Sequence, residues 1–274
     1  MDAWSELVQA LQLGFMQRAY IAGAVTGLLC PLIGTFLVTR RMALMADGLG
    51  HASFAGLVAG TLMGGRPLAG ALAVSLLGAL GIERLRRGHR TAGDVAIAIY
   101  SSFGLGVGMV LARMAGGLPM DLTGVLFGSI ITVQPGDLAW ILALAAVVVV
   151  TLTALRHQLF SILVHEEAAR AVGIKVDLIS QVLLLLTAAT IVVAMRVVGI
   201  LLVSALMVLP VATSLQFARG LGRTMGYSVV LGILSVVVGI TAAYLADLPA
   251  GAAIVLTNLV FFAVAAAWSS ARGY

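Results

Sequence analysis

Stretches of about 20 apolar residues recur along this whole sequence, and that recurrence leaves few folds open. A helix needs about 20 such residues to cross roughly 30 Å of hydrocarbon. In hydrocarbon every backbone N–H and C=O must be satisfied by the chain itself, so the crossing elements are helices or the strands of a closed barrel. A barrel would read as segments of about 10 residues with alternating polarity. Here the runs are longer and continuous: residues 138–155 and 227–245 contain no charged side chain. The mean hydropathy of +1.13, with 61% hydrophobic and 10% charged residues, fits the same class. The expectation is an all-α polytopic membrane protein.

Nine apolar segments are expected, at about 14–39, 43–63, 68–83, 93–115, 136–155, 178–195, 198–217, 224–246 and 249–269. The seventh is short and contains Pro210, which is expected to break its helix, so the number of full crossings is eight or nine. Cations sort between the two sets of connections. Four, Arg18, Arg66, Arg113 and Arg196, fall on one side and the other twelve on the opposite side, which marks the richer side as cytoplasmic. With nine crossings the N-terminus is outside and the C-terminus inside. The stretch LTGVLFGSI is apolar but too short to cross, and is expected to dip into the membrane or lie at its surface. The first residues lack a basic region and do not read as a signal peptide; they suit a short interfacial helix anchored by Trp4. No linker or low-complexity tract divides residues 1–274, so one transmembrane domain is expected. Cys30 is the single cysteine and forms neither an internal disulfide nor a thiolate cluster. The net charge of +5 reflects topology-setting loops, not a nucleic-acid surface. Gly23 and Gly27, Gly56 and Gly60, and Gly104 and Gly108 have the spacing that lets helices approach closely in lipid.

Two polar residues interrupt the second segment. Asp47 and His51 are four apart and share a helix face. An aspartate near a helix centre costs roughly 2.5–3.5 kcal/mol to insert, and such a residue usually faces a partner, a cavity or an ion path. If the helix starts near Met42, Asp47 lies about 8 Å along it and His51 about 14 Å, near the midplane. Carboxylate oxygen and imidazole nitrogen suit Zn²⁺ or Mn²⁺. Two ligands are too few for a closed site, but a symmetric dimer would supply two of each around its axis. Gly48 and Gly50 flank the pair and leave room for a close partner. An Asp–His hydrogen bond serving packing, or a proton relay in a proton-coupled secondary metal transporter, remain alternatives. One Asp and one His do not separate the metals; nitrogen ligation leans slightly to zinc.

HEEAARAVGIKVD, residues 165–177, is the most polar internal stretch. Its EEAARAV can form two helical turns, with Gly173 as the C-cap. A short helix on the cytoplasmic face would suit docking of a partner. The only lysine, Lys175, is followed by Val176, so the chain has no P-loop. ATP, if used, is bound by another polypeptide.

Several blocks resemble the metal-permease family of ABC importers, whose membrane subunits work with zinc-, manganese- or iron-binding lipoproteins. They are FLVTRRMALMADGLGHASFAG, EEAARAVGI, VGILLVSALMVLPVATS and ADLPAGAAIVL, in family order and covering nearly the whole chain. Gly50 stands where the family usually has serine, and Val211 and Ser214 are milder departures. The resemblance implies a metal/cobalamin-type permease fold and a transport subunit without enzymatic activity of its own. It implies a second permease subunit, cytoplasmic ATPase subunits and an extracytoplasmic metal-binding protein. It carries the metal role onto Asp47 and His51. It also makes about 163–175 a coupling helix touching the ATPase, through Glu166, Glu167, Ala168, Ala169 and Gly173.

Overall fold

The computed structural model describes residues 12–64, 66–87, 93–114, 122–128 and 135–271. Among them the only regular elements are helices: α1 (Gly14–Thr39), α2 (Leu44–Leu62), α3 (Pro67–Arg87), α4 (Gly93–Met114), α5 (Leu122–Phe127), α6 (Pro135–Val164), α7 (Glu166–Ala171), α8 (Val176–Ala194), α9 (Val203–Leu215), α10 (Leu221–Ala246) and α11 (Ala250–Ala271). The expected interfacial helix at Trp4 lies outside the described residues.

Each of the nine expected apolar segments is a helix, but nine crossings do not follow. Seven helices, α1, α3, α4, α6, α8, α10 and α11, are both long and apolar enough to span. α2 has the length, at 19 residues, but Asp47 and His51 lower its apolarity. α9 has only 13 residues. The cause is not Pro210, through which α9 runs unbroken. The chain instead leaves helical geometry before α9, between Met195 and Leu202, where Gly199 takes φ +86°.

That irregular stretch is paired. The N–H groups of Ile200 and Leu201 donate to the carbonyls of Val125 and Leu126 in α5, at 3.1 and 3.2 Å. Thus α5, from the LTGVLFGSI stretch, satisfies backbone that has no helix of its own, as an apolar surround demands. Hydroxyls follow the same rule: Thr26, Thr35, Ser53 and Thr187 each donate to the carbonyl four residues earlier.

Two groupings meet in the middle. α2 packs on α3 and α4, α10 packs on α1 and α11, and α8 touches α1, α2, α3 and α6. α1 and α8 are the most enclosed spans. The outer surface is apolar, with Phe103, Val150 and Trp268 all exposed, as lipid-facing helices require. Glycines set the close crossings. Gly27 of α1 meets Gly232 of α10, Gly56 and Gly60 of α2 meet Gly70 of α3, and Gly34 lies against the Met207 carbonyl of α9. Pro31 has no N–H for the carbonyl of Gly27, and that carbonyl faces Gly232. Cys30 is buried in this core.

Candidate metal site and coupling elbow

α2 begins at Leu44, so Asp47 lies in its first turn. A carboxylate there is favoured by the unpaired N–H groups and partial positive charge of a helix N-terminus. The later start moves both residues: Asp47 is about 4.5 Å and His51 about 10 Å along the axis, short of the middle of the helix. Their side chains do share a face. His51 Nε2 is 3.6 Å from Asp47 Oδ2, a separation suited to ion pairing but long for a hydrogen bond. The Asp47 side chain is 46% exposed and that of His51 14%. The pair therefore opens at the protein surface instead of being sealed in the core. His51 Nδ1 is buried and has no hydrogen-bond partner.

The space beside Gly48 and Gly50 is used within the chain, contrary to the expectation that it awaits a partner. Gly48 lies against Ile97 of α4, and a Cβ on Gly50 would be 3.4 Å from the Ile200 carbonyl. Gly104 of α4 is pressed onto the His51 and Ala52 backbone. The site helix is thus wedged between α4 and the irregular 195–202 stretch. Among the described residues no group of three or more His, Cys, Asp or Glu side chains could hold a metal. One protomer offers Asp47 and His51 only.

The polar elbow is built as a separate unit. α7 spans six residues, shorter than the expected 163–175. Val172 caps it and Gly173, at φ +89°, follows in the left-handed region. The Gly173 N–H reaches the Arg170 carbonyl and the Ile174 N–H that of Ala169, each at 3.0 Å, a Schellman closure. Gly173 is one residue beyond the expected cap position. Ala169 is buried, Glu167 and Ala168 are exposed, and Val164 and Val172 expose 81% and 83% of their surface.

Glu166 is the hub of a network the sequence did not reveal. Arg40, at the end of α1, donates to Glu166 Oε2 at 3.0 Å and to Ser180 Oγ of α8 at 2.8 Å. Arg170 donates to Glu166 at 3.1 Å and forks onto Asp177 at 2.8 and 3.0 Å. Partial burial pushes the Glu166 carboxyl up, but the hydrogen bond from Arg170, with the charge of Arg40 behind it, more than offsets this and holds it below the usual range. Asp177 and Glu166 push the Arg170 guanidinium up. Arg40 and Glu166 are 126 residues apart in sequence, so no local spacing could pair them. The sequence offered only the general signal of an arginine at a helix end. Glu83, within α3, is buried as well, which its place beside the basic end of that helix does not signal.

A model of the ABC 3 transport family matches residues 12–269. The chain belongs to that family. This ABC 3 chain is 35% identical over 250 residues to a probable metal transport system membrane protein of Treponema pallidum, covering 91% of this chain and 94% of that one. It is 30% identical over 264 residues to the manganese transport system membrane protein MntC of Listeria innocua, covering 96% and 94%. Its structure resembles PsaBC from Streptococcus pneumoniae, solved in complex with Fab, with a TM-score of 0.87 and 30% identity, covering 95% of this chain and 94% of that one. As an ABC 3 permease it is a transport subunit and not an enzyme.

Proposed function

We propose that this chain is the membrane-spanning permease of an ATP-driven importer for divalent transition metal ions, Mn²⁺ or Zn²⁺. It works as a two-permease assembly, with cytoplasmic ATPase subunits and an extracytoplasmic metal-binding protein. The observation that carries this reading is the Asp47–His51 face: two metal-compatible side chains, open at the surface, with no third ligand among the described residues. A second copy would complete a four-ligand set, and its two carboxylates would balance a divalent charge that is costly to hold in low dielectric. Family membership supports the transport role. The manganese in the Listeria relative's name supports Mn²⁺ as one cargo, and a probable iron transport system membrane protein of Haemophilus influenzae, 30% identical over 267 residues, keeps the metal class broad.

In this mechanism the binding protein delivers the ion, and Asp47 and His51 of both copies replace part of its water. The set holds it only moderately, since a tight cage would not release it. ATP-driven closure of the partner subunits acts on α7, whose exposed Glu167 and Ala168, with the flanking Val164 and Val172, form the contact. The site then opens to the cytoplasm, as in alternating access.

The test is uptake of radioactive manganese and zinc, with each competing against the other. Asp47→Ala and His51→Ala should each abolish uptake while the subunit still assembles with its ATPase. Normal uptake by both variants would defeat the proposal. So would uptake that persists without the ATPase and collapses with the proton gradient, which would make the pair a proton relay instead.

A further inference from the structure

α4 meets the site helix along one line. Its Ile97, Gly104 and Gly108 lie in turn against Gly48, the backbone of His51 and Ala52, and Phe54 with Ala55 of α2. Steps of four and three residues keep one helix face, so Ser101 belongs to the same line. It falls between the contacts at Gly48 and at His51, is partly buried, and is the one polar side chain of those four positions. Helical side chains lean towards the N-terminus of their helix. That lean carries the His51 ring back from the contact at Gly104 to the level of Ser101. On that ring Nδ1 is buried and has no hydrogen-bond partner, while Nε2 is the nitrogen beside Asp47. Other polar atoms near the pair are directed elsewhere. The Ile200 carbonyl backs Gly50, a helix step of about 100° from His51. Tyr100 has its hydroxyl against Gly81 of α3.

We propose that Ser101 is a positioning residue for the cargo ion, its Oγ accepting a hydrogen bond from His51 Nδ1–H when Nε2 holds the metal. The inference rests on the metal reading of the Asp47–His51 pair and adds to it a residue from a different helix. A neutral imidazole that gives one nitrogen to a metal carries its proton on the other. Here that other nitrogen is Nδ1, and a buried N–H needs an acceptor. Metal-binding histidines almost always donate this second N–H, which fixes the ring and its tautomer. His51 and Ser101 are not bonded in the structure, and a turn of the imidazole as it takes the ion closes the bond. Ser101 loses nothing by accepting. Its proton can go to the Ile97 carbonyl four residues back, as Ser53 gives its own to Leu49, and the oxygen keeps lone pairs for Nδ1. A hydroxyl also suits a site that must let go. A carboxylate in its place would make the imidazole more basic and tighten the hold on the ion.

The experiment uses the assembled transporter in nanodiscs, with ¹⁵N-labelled histidine and Zn²⁺ as the diamagnetic probe. The chain has four histidines, so the His51 signal is assigned by its loss in His51→Ala. With Zn²⁺ bound, the His51 Nδ1 proton should resonate downfield and exchange slowly with water. Ser101→Ala should move it upfield and speed its exchange, and Ser101→Thr, which keeps the oxygen, should restore both. In uptake, Ser101→Ala should raise KM for the ion about tenfold, the low end of the loss expected when such a partner of a metal-binding histidine is removed. The maximal rate should hold, as expected when binding alone is weakened. Ser102→Ala makes the same change one residue on, where the side chain lines a shallow dent with Phe103 and Gly106, and should alter neither readout. A wild-type Nδ1 proton that exchanges freely overturns the inference. So does a lower maximal rate and yield in Ser101→Ala with KM unchanged, which would make Ser101 a packing residue. Loss of uptake in His51→Ala beside an unaffected Ser101→Ala overturns this inference alone, whereas normal uptake in His51→Ala removes the metal reading beneath it.

Discussion

Asp47 sits where a helix N-terminus best tolerates an anion, while His51, one turn on, has one ring nitrogen towards the carboxylate and the other buried. The half-exposed carboxylate and the largely buried imidazole give the pair the outward-facing geometry on which the proposed metal role rests. Its residues were legible because each contradicts an otherwise apolar segment, and a polar exception in hydrocarbon has few structural uses. Their depth was less legible, because helix starts depend on the preceding turn. α1 ends at Thr39 and Arg41 takes φ +57°, so α2 begins only at Leu44. Gly50 gives a prediction at this scale. A Cβ there sits 3.4 Å from the Ile200 carbonyl, at the edge of ordinary contact, and a serine hydroxyl can donate to a carbonyl as the other helix hydroxyls do. Gly50→Ser should therefore keep metal uptake, with an unfolding temperature unchanged or raised, since glycine is a poor helix former. Gly50→Leu should push the 195–202 stretch away and lower both. Measuring uptake and thermal unfolding for the two variants side by side checks this. Failure of the serine variant would mean that the backbone packing behind His51 has no slack.

α7, the proposed coupling element, is six residues long, too short to hold itself as a helix in water. Its geometry comes from its ends. The Schellman closure at Gly173 fixes one end, and Glu166 is tied to α1 through Arg40 and, with Asp177, to Arg170. The closure was readable from the local order of residues. The tie to Arg40 was not, because a hydrogen bond across 126 residues leaves no mark in spacing. Arg40 closes α1 four residues before α2 begins. A push on α7 therefore has a route to the start of the helix carrying Asp47 through Arg40, beside the one that runs from Arg170 to Asp177 of α8, which touches α2. Arg40→Gln and Glu166→Gln should uncouple the subunits: ATP hydrolysis in the assembled complex persists while metal uptake per ATP falls several-fold, and the double variant is no worse than either single one. The stability cost should be small, about 1 kcal/mol or less, because Glu166 is nearly half exposed. Acid should act on the same link. The Glu166 carboxyl is held below its usual range, so its contribution is complete above the ordinary glutamate value of about 4.3 and fades as pH falls below that. Coupling should be flat between pH 5 and pH 8. Uptake per ATP measured across that range, with a steep change attributable to Glu166, would contradict this account.

At the scale of the molecule, the sequence located every long helix, because hydrocarbon length and apolarity are properties of single segments. It did not reveal how the helices meet. Lipid tails are as apolar as leucine, so no hydrophobic drive separates protein contacts from lipid contacts, and close steric fit has to do so. That fit depends on pairs distant in the chain. Gly34 of α1 is among the tightest cases, with the Met207 carbonyl of α9 occupying the place a side chain would take. α9 also touches α2, α10 and α11, so separating it from α1 disturbs both groupings of helices at once. Yet α9 is the shortest of the helices at the nine expected apolar segments, and Gly34 carries no local mark that distinguishes it from the chain's 32 glycines. Gly34→Leu should lower the stability of the detergent-purified chain by about 1–3 kcal/mol or more, the range for overpacking. It should also reduce the yield of monodisperse protein. Gly226 lies in α10 with open space around its Cα. Gly226→Ala should be neutral or stabilising by up to about 1 kcal/mol through helix propensity alone. Thermal unfolding of the two variants separates fit from propensity: if Gly34→Leu proved as benign as Gly226→Ala, α1 and α9 would not be in the contact on which this packing depends.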